Sequence, residues 1–453
     1  MRREALSHPL AIAGVLVSTA SASVCLTLVV AMLAGLLKNP YAGLLVFVAL
    51  PGFILLGILL VLAGARLWRR RRLEHPNAID EWPTIDFRRT SVRRATLIVT
   101  AIAAVNVAIV LLAGYGTLHW MESPNFCGQT CHTPMRPQYA AWQLATHGRI
   151  ACVSCHVGEG SGAFIESKLA GVRQLVAMAA HSYSRPIPPG AEMHPGAQAE
   201  TCGACHQPGR ESGDRIRVIR EYAEDEASTE TITVLQMHLG KTVASERTIH
   251  WHADPAVRVE YKATDAERQT IPWVRVTDRT GRTREYAASG SGDTAVPDGS
   301  RRTMDCIDCH NAAGHPVAAT AEAAVDRAIA SARVSRDLPF ARREIVRVVK
   351  ASYPTEDAAM QAIDRDLRRF YETNSQSADS EAVSRAVATA RDVYRRNVFP
   401  SMNVTWGSYP DNKGHVSAPG CFRCHDDLHK ATDGSVISGD CELCHKQIER
   451  PGP

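Results

Sequence analysis

Up to about residue 118, three long stretches of the chain hold no charged residue: residues 9–37, 39–65 and 95–118, of 29, 27 and 24 residues. A helix rises about 1.5 Å per residue, so about 20 apolar residues cross the hydrocarbon core of a bilayer. Each run therefore predicts a transmembrane helix. The first is too long for the apolar region of a signal peptide, and a second run follows it directly. Cys25 sits inside the first run behind Val24, where lipid attachment would want a small residue, and reads as a packed membrane residue. This gives two predicted helices within residues 1–67, a loop over 68–94 and a third helix over 95–118.

After residue 118 the pattern changes. Residues 185–196 are proline-rich and read as a loop. Within 211–300, residues 215–219, 231–239, 257–261 and 273–276 follow strand patterning. Asp278-Arg279-Thr280-Gly281 reads as a turn before 283–286, and a Gly/Ser/Asp-rich linker covers 288–302. These predict a small antiparallel β insertion. Residues 319–398 carry helical periodicity, broken near Pro354 and at Asn374-Ser375-Gln376-Ser377, with a charged face that reads as solvated.

Charge orients the anchor. Arg66, Arg69, Arg70, Arg71, Arg72, Arg88, Arg89, Arg93 and Arg94 lie between the second and third runs, and Arg2 and Arg3 precede the first. Positive residues in short loops stay in the cytoplasm. The N-terminus and the 68–94 loop are thus expected inside, and everything after residue 118 outside. The net charge of +4 over 453 residues calls for no nucleic acid as partner.

The chemistry lies in the cysteines. Of 13, twelve form pairs each followed at once by histidine: Cys127/Cys131 with His132, Cys152/Cys155 with His156, Cys202/Cys205 with His206, Cys306/Cys309 with His310, Cys421/Cys424 with His425, and Cys441/Cys444 with His445. In C-x-x-C-H the two thiols bond a haem edge and the histidine binds the iron. A closed zinc site needs four ligands and gives no reason for a histidine after every second cysteine; disulfides leave the histidines unexplained too. The residues therefore predict six covalently bound haem c groups: three in residues 119–210, one in 301–318 and two in 399–453. The first motif departs, with three residues between its cysteines. Met135 follows it and is either an axial ligand or a packing residue.

Six haems need up to six further ligands. Ten histidines lie outside the motifs and beyond the apolar runs: His119, His147, His181, His194, His238, His250, His252, His315, His415 and His429. His147, His315, His415 and His429 are the first choices because they stand nearest to motifs. On a strand His250 and His252 would face one side, one ligating and the other supporting it.

The stretch SPNFCGQTCHTPMRPQYAAWQLATHGRIACVSCH from Ser123 to His156 resembles the NapC/NirT family of membrane-anchored multihaem cytochromes. SKLAGVRQ, IHWH, RQTIPWVRV, MDCIDCHNAAGH and GCFRCHDDLH extend the resemblance over most of the chain, and to a long three-span branch of the family. It implies a bacterial inner-membrane protein with periplasmic haems. Menaquinol or ubiquinol from the membrane pool would donate electrons, and a periplasmic or outer-membrane-directed redox protein would accept them. Other membrane subunits are conceivable partners of the extra spans. Short family members have four haems on one anchor and regular motifs throughout, which this chain does not. Their quinol-site lysine stands twelve residues after the second motif's histidine, the offset of Lys168. The carboxylate that assists in some members has no match here, and Glu159 and Glu166 are weak substitutes.

The expected fold is thus a membrane-anchored multihaem cytochrome: three N-terminal transmembrane helices, then a mainly α or irregular haem-packed region with a small antiparallel β insertion. Three functions fit: quinol oxidation with outward relay, a relay or storage subunit fed by another quinol-oxidising protein, and a terminal reductase with an open haem. The last has against it that no motif carries lysine in place of histidine. The arginine pattern predicts that reporter fusions show cytoplasmic activity at Asn77 and export at Gln207. An exported Asn77 would overturn the topology.

Overall fold

The computed structural model describes residues 9–33, 46, 49–73, 87–90, 93–94, 97, 112, 115–117, 119–130, 132–157, 161–188, 198–206, 213–240, 248–288, 301–375, 378–416 and 418–448. Most of the third apolar run, much of the arginine loop, Cys131, His194, Glu159 and most of the 288–302 linker lie outside these residues. The chain divides into two compact units, residues 1–121 and 122–453.

The first unit holds α1 (Pro9–Leu33) and α2 (Leu50–Leu73). Small residues meet at their contact. A Cβ on Gly14 would lie 2.5 Å from the Gly57 carbonyl oxygen, and one on Gly57 would lie 2.2 Å from Ser18 Oγ. Ser18 Oγ donates to the Ile54 carbonyl at 3.1 Å. The large apolar side chains point the other way: Leu55 and Leu59 are each 62% exposed. Small residues inside and leucines outside suit a helix pair solvated by lipid, where close backbone approach replaces the hydrophobic drive. Three spans were expected; among the described residues one helix, Leu50–Trp68, is long and apolar enough to cross a membrane, and Ala13–Leu26 is a shorter apolar stretch.

The second unit begins with α3 (His132–Trp142) and α4 (Ser161–Ala179). Strands β1 (Arg215–Tyr222), β2 (Glu230–Met237), β3 (Arg258–Lys262), β4 (Trp273–Thr277), β5 (Thr283–Ala288) and β6 (Arg301–Thr303) follow. They do not form one sheet. β1 and β2 pair in one, and β6-β3-β4-β5 in another, all antiparallel. Each is completed from the C-terminal region. β7 (His429–Lys430) adds to β5, and β8 (His445–Gln447) adds to β2 with Met237 opposite His445. The insertion therefore frames the last two motifs.

Between them lie α5 (Ala321–Ala330), α6 (Ala341–Lys350), α7 (Glu356–Asn374) and α8 (Ser380–Asn397). Val325, Ile345, Ile363, Leu367 and Tyr394 fill their shared core. Side chains cap three starts: Thr320 accepts from Ala323 N–H, Thr355 from Ala358 N–H and Asp379 from Ala382 N–H, each saturating a donor the first turn leaves unpaired. One break, between α5 and α6, goes beyond the periodicity; Ala332 and Phe340 turn the chain there at positive φ.

The α1–α2 contact generates a prediction. Gly57→Leu forces a side chain against Ser18 and the Gly14 backbone. Overpacking costs about 1–3 kcal/mol, and more against backbone, so the variant should melt several degrees lower in detergent by scanning calorimetry, while Leu55→Ala should not.

Candidate haem centres

Four of the motifs close as single helical turns. His156 N–H donates to Cys152 O at 3.0 Å, His206 to Cys202 at 2.8 Å, His310 to Cys306 at 2.8 Å and His425 to Cys421 at 3.0 Å. That turn puts both cysteines and the histidine at one side of a common space. The sixth is held from outside: His238 N–H donates to Cys444 O at 2.9 Å, and His445 enters β8.

Each of these five motif histidines faces one histidine from elsewhere. The ring centroids are 5.9 Å apart for His156 and His315, 6.0 Å for His206 and His147, 6.3 Å for His310 and His250, 5.9 Å for His425 and His252, and 6.0 Å for His445 and His415. Two imidazoles bound to one metal from opposite sides, each through a bond of about 2 Å, hold their centroids about 6 Å apart. The spacing is too wide for ring-to-ring hydrogen bonds and right for an iron in the gap. No partner is shared.

The rings are also aimed. Nδ1 faces a backbone carbonyl in His147 (Ala313 O, 3.2 Å), His315 (Gln138 O, 2.9 Å), His252 (Ile249 O, 2.9 Å) and His425 (Ser438 O, 2.8 Å). An Nδ1–H committed in this way leaves Nε2 as the metal-facing atom. Burial pushes His252 and His315 below the ordinary imidazole range, as it does His445. All three are thereby biased toward the neutral form that binds metal.

Two expectations change. His250 and His252 lie on a helical turn, Ile249–Ala253, rather than a strand. Residues two apart on a 3₁₀ turn point about 120° apart, and the two rings stand opposite different motif histidines, His310 and His425. His429 is a first choice by sequence, yet it is 1% exposed with both ring nitrogens engaged: Nδ1 on Asp426 Oδ1 at 2.8 Å and Nε2 on Ile271 O at 2.7 Å. Neither nitrogen is left for an iron. Of the other candidates, His238 Nδ1 bonds Asp214 at 3.1 Å and His119 stacks on Tyr115.

The first motif is built differently. Cys127 lies on the short turn Phe126–Thr130, and His132 and Met135 both belong to α3. Lys168, on α4, lies 3.9 Å from Glu122, just before this motif, an exposed pair of small energetic value. Glu166 is exposed. The sequence reading missed Glu122 because it searched for a carboxylate near Lys168 in the chain.

Sulfurs of successive motifs approach one another. Cys152 hydrogen-bonds Cys127, Cys202 hydrogen-bonds Cys306, and Cys421 hydrogen-bonds Cys444. Cys155 lies within electrostatic reach of Cys205, and Cys309 of Cys421 and Cys424. Hydrogen bonds thus join motifs one and two, three and four, and five and six, and electrostatic proximity alone relates two to three and four to five.

A model of the NapC/NirT cytochrome c family, N-terminal region, matches residues 89–187. The cytochrome c-type protein ImcH of Geobacter sulfurreducens is 35% identical, over 99% of this chain and 89% of its own length. No solved structure matches.

The ring pairs predict distinct outcomes for two neighbouring histidines. His415→Ala should turn one iron from low-spin to high-spin by electron paramagnetic resonance while covalent haem content is unchanged. His429→Ala should keep every iron low-spin yet lower the melting temperature, since it strips partners from buried Asp426 and Ile271 groups at about 1–3 kcal/mol.

Proposed function

Because the chain belongs to the NapC/NirT cytochrome c family, we propose that it moves electrons from membrane quinol through six covalently held haem c groups to a periplasmic acceptor. The observation that carries this reading is the set of five histidine pairs, each one motif histidine facing one outside partner at 5.9–6.3 Å. His147, His250, His252, His315 and His415 are assigned as the partner ligands, one to each regular motif. When bound, the haems supply reversible one-electron chemistry. Iron held from both faces has no open position for a substrate, which favours relay over a terminal reductase. The chain-ordered contacts between cysteines favour a linear path.

Entry is assigned to the first motif, the one that stands apart from the histidine pairs. Oxidation of one quinol to quinone releases two electrons and two protons, so a proton acceptor is needed beside the entry haem. Glu122 offers a carboxylate to the quinol hydroxyl, and the Lys168 ammonium can donate to the same oxygen. His132 would hold the iron, with Met135 as its candidate further ligand. In this reading all three apolar runs span a bacterial inner membrane, the N-terminus and the arginine loop face the cytoplasm, and the haem region is periplasmic. Menaquinol or ubiquinol is the donor. The acceptor is a periplasmic or outer-membrane-directed redox protein. The second reading, a relay fed by another membrane subunit, is favoured only if quinol fails to reduce the purified chain.

The test is anaerobic mixing of the purified protein with a menaquinol analogue, after mass spectrometry has counted the haems. Six haem masses above the polypeptide and optical reduction by quinol are expected. Lys168→Ala and Glu122→Gln should each keep six haems and slow quinol-driven reduction by about tenfold or more, within the usual 10²–10⁴ worth of a positioned proton-transfer group. Dithionite reduction should not change. Unaltered quinol kinetics in both loaded variants would remove the assigned site.

A further inference from the structure

The motifs of haems four and five carry a charged residue between their cysteines: Asp308 in Cys306-Ile307-Asp308-Cys309 and Arg423 in Cys421-Phe422-Arg423-Cys424. Both are buried, at 2% and 7% exposure. Buried charge is costly unless something on the protein answers it. Asp308 is answered in full. Its Oδ1 accepts from Tyr261 Oη at 2.6 Å and Arg268 Nη1 at 2.8 Å, and its Oδ2 accepts from Asp305 N–H at 2.9 Å. Tyr261 stays a donor, since burial and the Asp308 charge push its phenol up to about 12.

Arg423 is answered otherwise. Nε donates to Gly420 O at 2.8 Å, Nη1 to Arg268 O at 3.0 Å and Nη2 to Asp308 O at 2.6 Å. These are three backbone carbonyls. They satisfy the donors and fix the guanidinium, but they carry dipoles and no net charge. Gly420 holds its carbonyl in place from φ +52, where a Cβ would collide with the Gly414 oxygen. Arg423 directly precedes Cys424 in the chain, and through the Asp308 carbonyl its guanidinium touches the residue that directly precedes Cys309. It therefore sits between the attachment points of two successive motifs.

We propose that Arg423 is a fixed internal cation that raises the reduction potentials of haems four and five, making this pair the stretch of the relay where electrons rest. The inference rests on the six-haem reading above. Reducing Fe(III) to Fe(II) places one negative charge on the haem, and a cation in a poorly screened interior stabilises that charge more than it would at the surface. Asp308 acts on the same two haems with the opposite sign, partly offset by Arg268. Arg423 is a positioning and tuning residue; it binds no iron.

The experiment is a potentiometric titration of the loaded protein, followed by visible absorbance and electron paramagnetic resonance, with haem content measured on the same sample. In Arg423→Gln two midpoint potentials should fall and the other four should stay. Arg423→Lys, which keeps the charge without the fork, should stay close to wild type. Asp308→Asn should move the same two potentials upward. Potentials unmoved in a fully loaded Arg423→Gln, or lowered as far in Arg423→Lys, would overturn the proposal. If Arg423→Gln does not load, Asp308→Asn decides, and unmoved or lowered potentials there overturn it. Fewer than six haems in wild type would instead indict the haem reading.

Discussion

Two imidazoles held about 6 Å apart do little for each other. The spacing is too long for a ring-to-ring hydrogen bond and matches two metal bonds of about 2 Å each. Five pairs at this spacing stand in one unit, each joining a motif histidine to a histidine from elsewhere. The rest of the second unit can be understood as a means of holding these pairs at that spacing. α3 offers the Gln138 carbonyl to His315, the loop after the fourth motif offers Ala313 to His147, and the turn Ile249–Ala253 brings one ring to His310 and the other to His425. The hydrophobic core, by contrast, is concentrated in α5–α8, which carry none of the paired histidines.

How much of this the sequence disclosed depends on how local each feature is. The motifs were legible because a thiol–thiol–imidazole set needs only one turn of backbone. The histidine pairs are long-range, such as His156 with His315, and no local spacing encodes them. Proximity in the chain pointed at His147, His315 and His415, each of which stands opposite a motif histidine, but equally at His429. That ring is turned inward by β7 to meet Ile271, a contact fixed by sheet pairing 158 residues apart. A shared face for His250 and His252 holds only on a strand, and the short turn they occupy between two strands parts them. The same limit hid Glu122, which meets Lys168 across 46 residues.

The two charges inside the fourth and fifth motifs show a different kind of illegibility. Asp308 and Arg423 look like an ion pair in waiting, one acidic and one basic residue at the same place in two repeats. In the structure Arg423 takes the carbonyl of Asp308, and Arg268 takes the carboxylate. The sequence shows both charges but not which oxygen each donor finds, and that choice decides whether the local field cancels or persists.

The strands that complete the two sheets have a bearing on how such a protein is made. β7 directly follows the fifth motif and β8 begins at the histidine of the sixth, so β5 and β2 lack these neighbours until those motifs have been made. Unpaired strand edges are templates for pairing with other chains, and domains generally form in order of synthesis. A polypeptide that stalled before residue 429 would thus present both edges to other chains, and one that stalled between β7 and the sixth motif would still present that of β2. Because β8 begins at His445, covering of the β2 edge is coupled to arrival of the last cysteine pair, which makes the sixth motif a checkpoint on maturation.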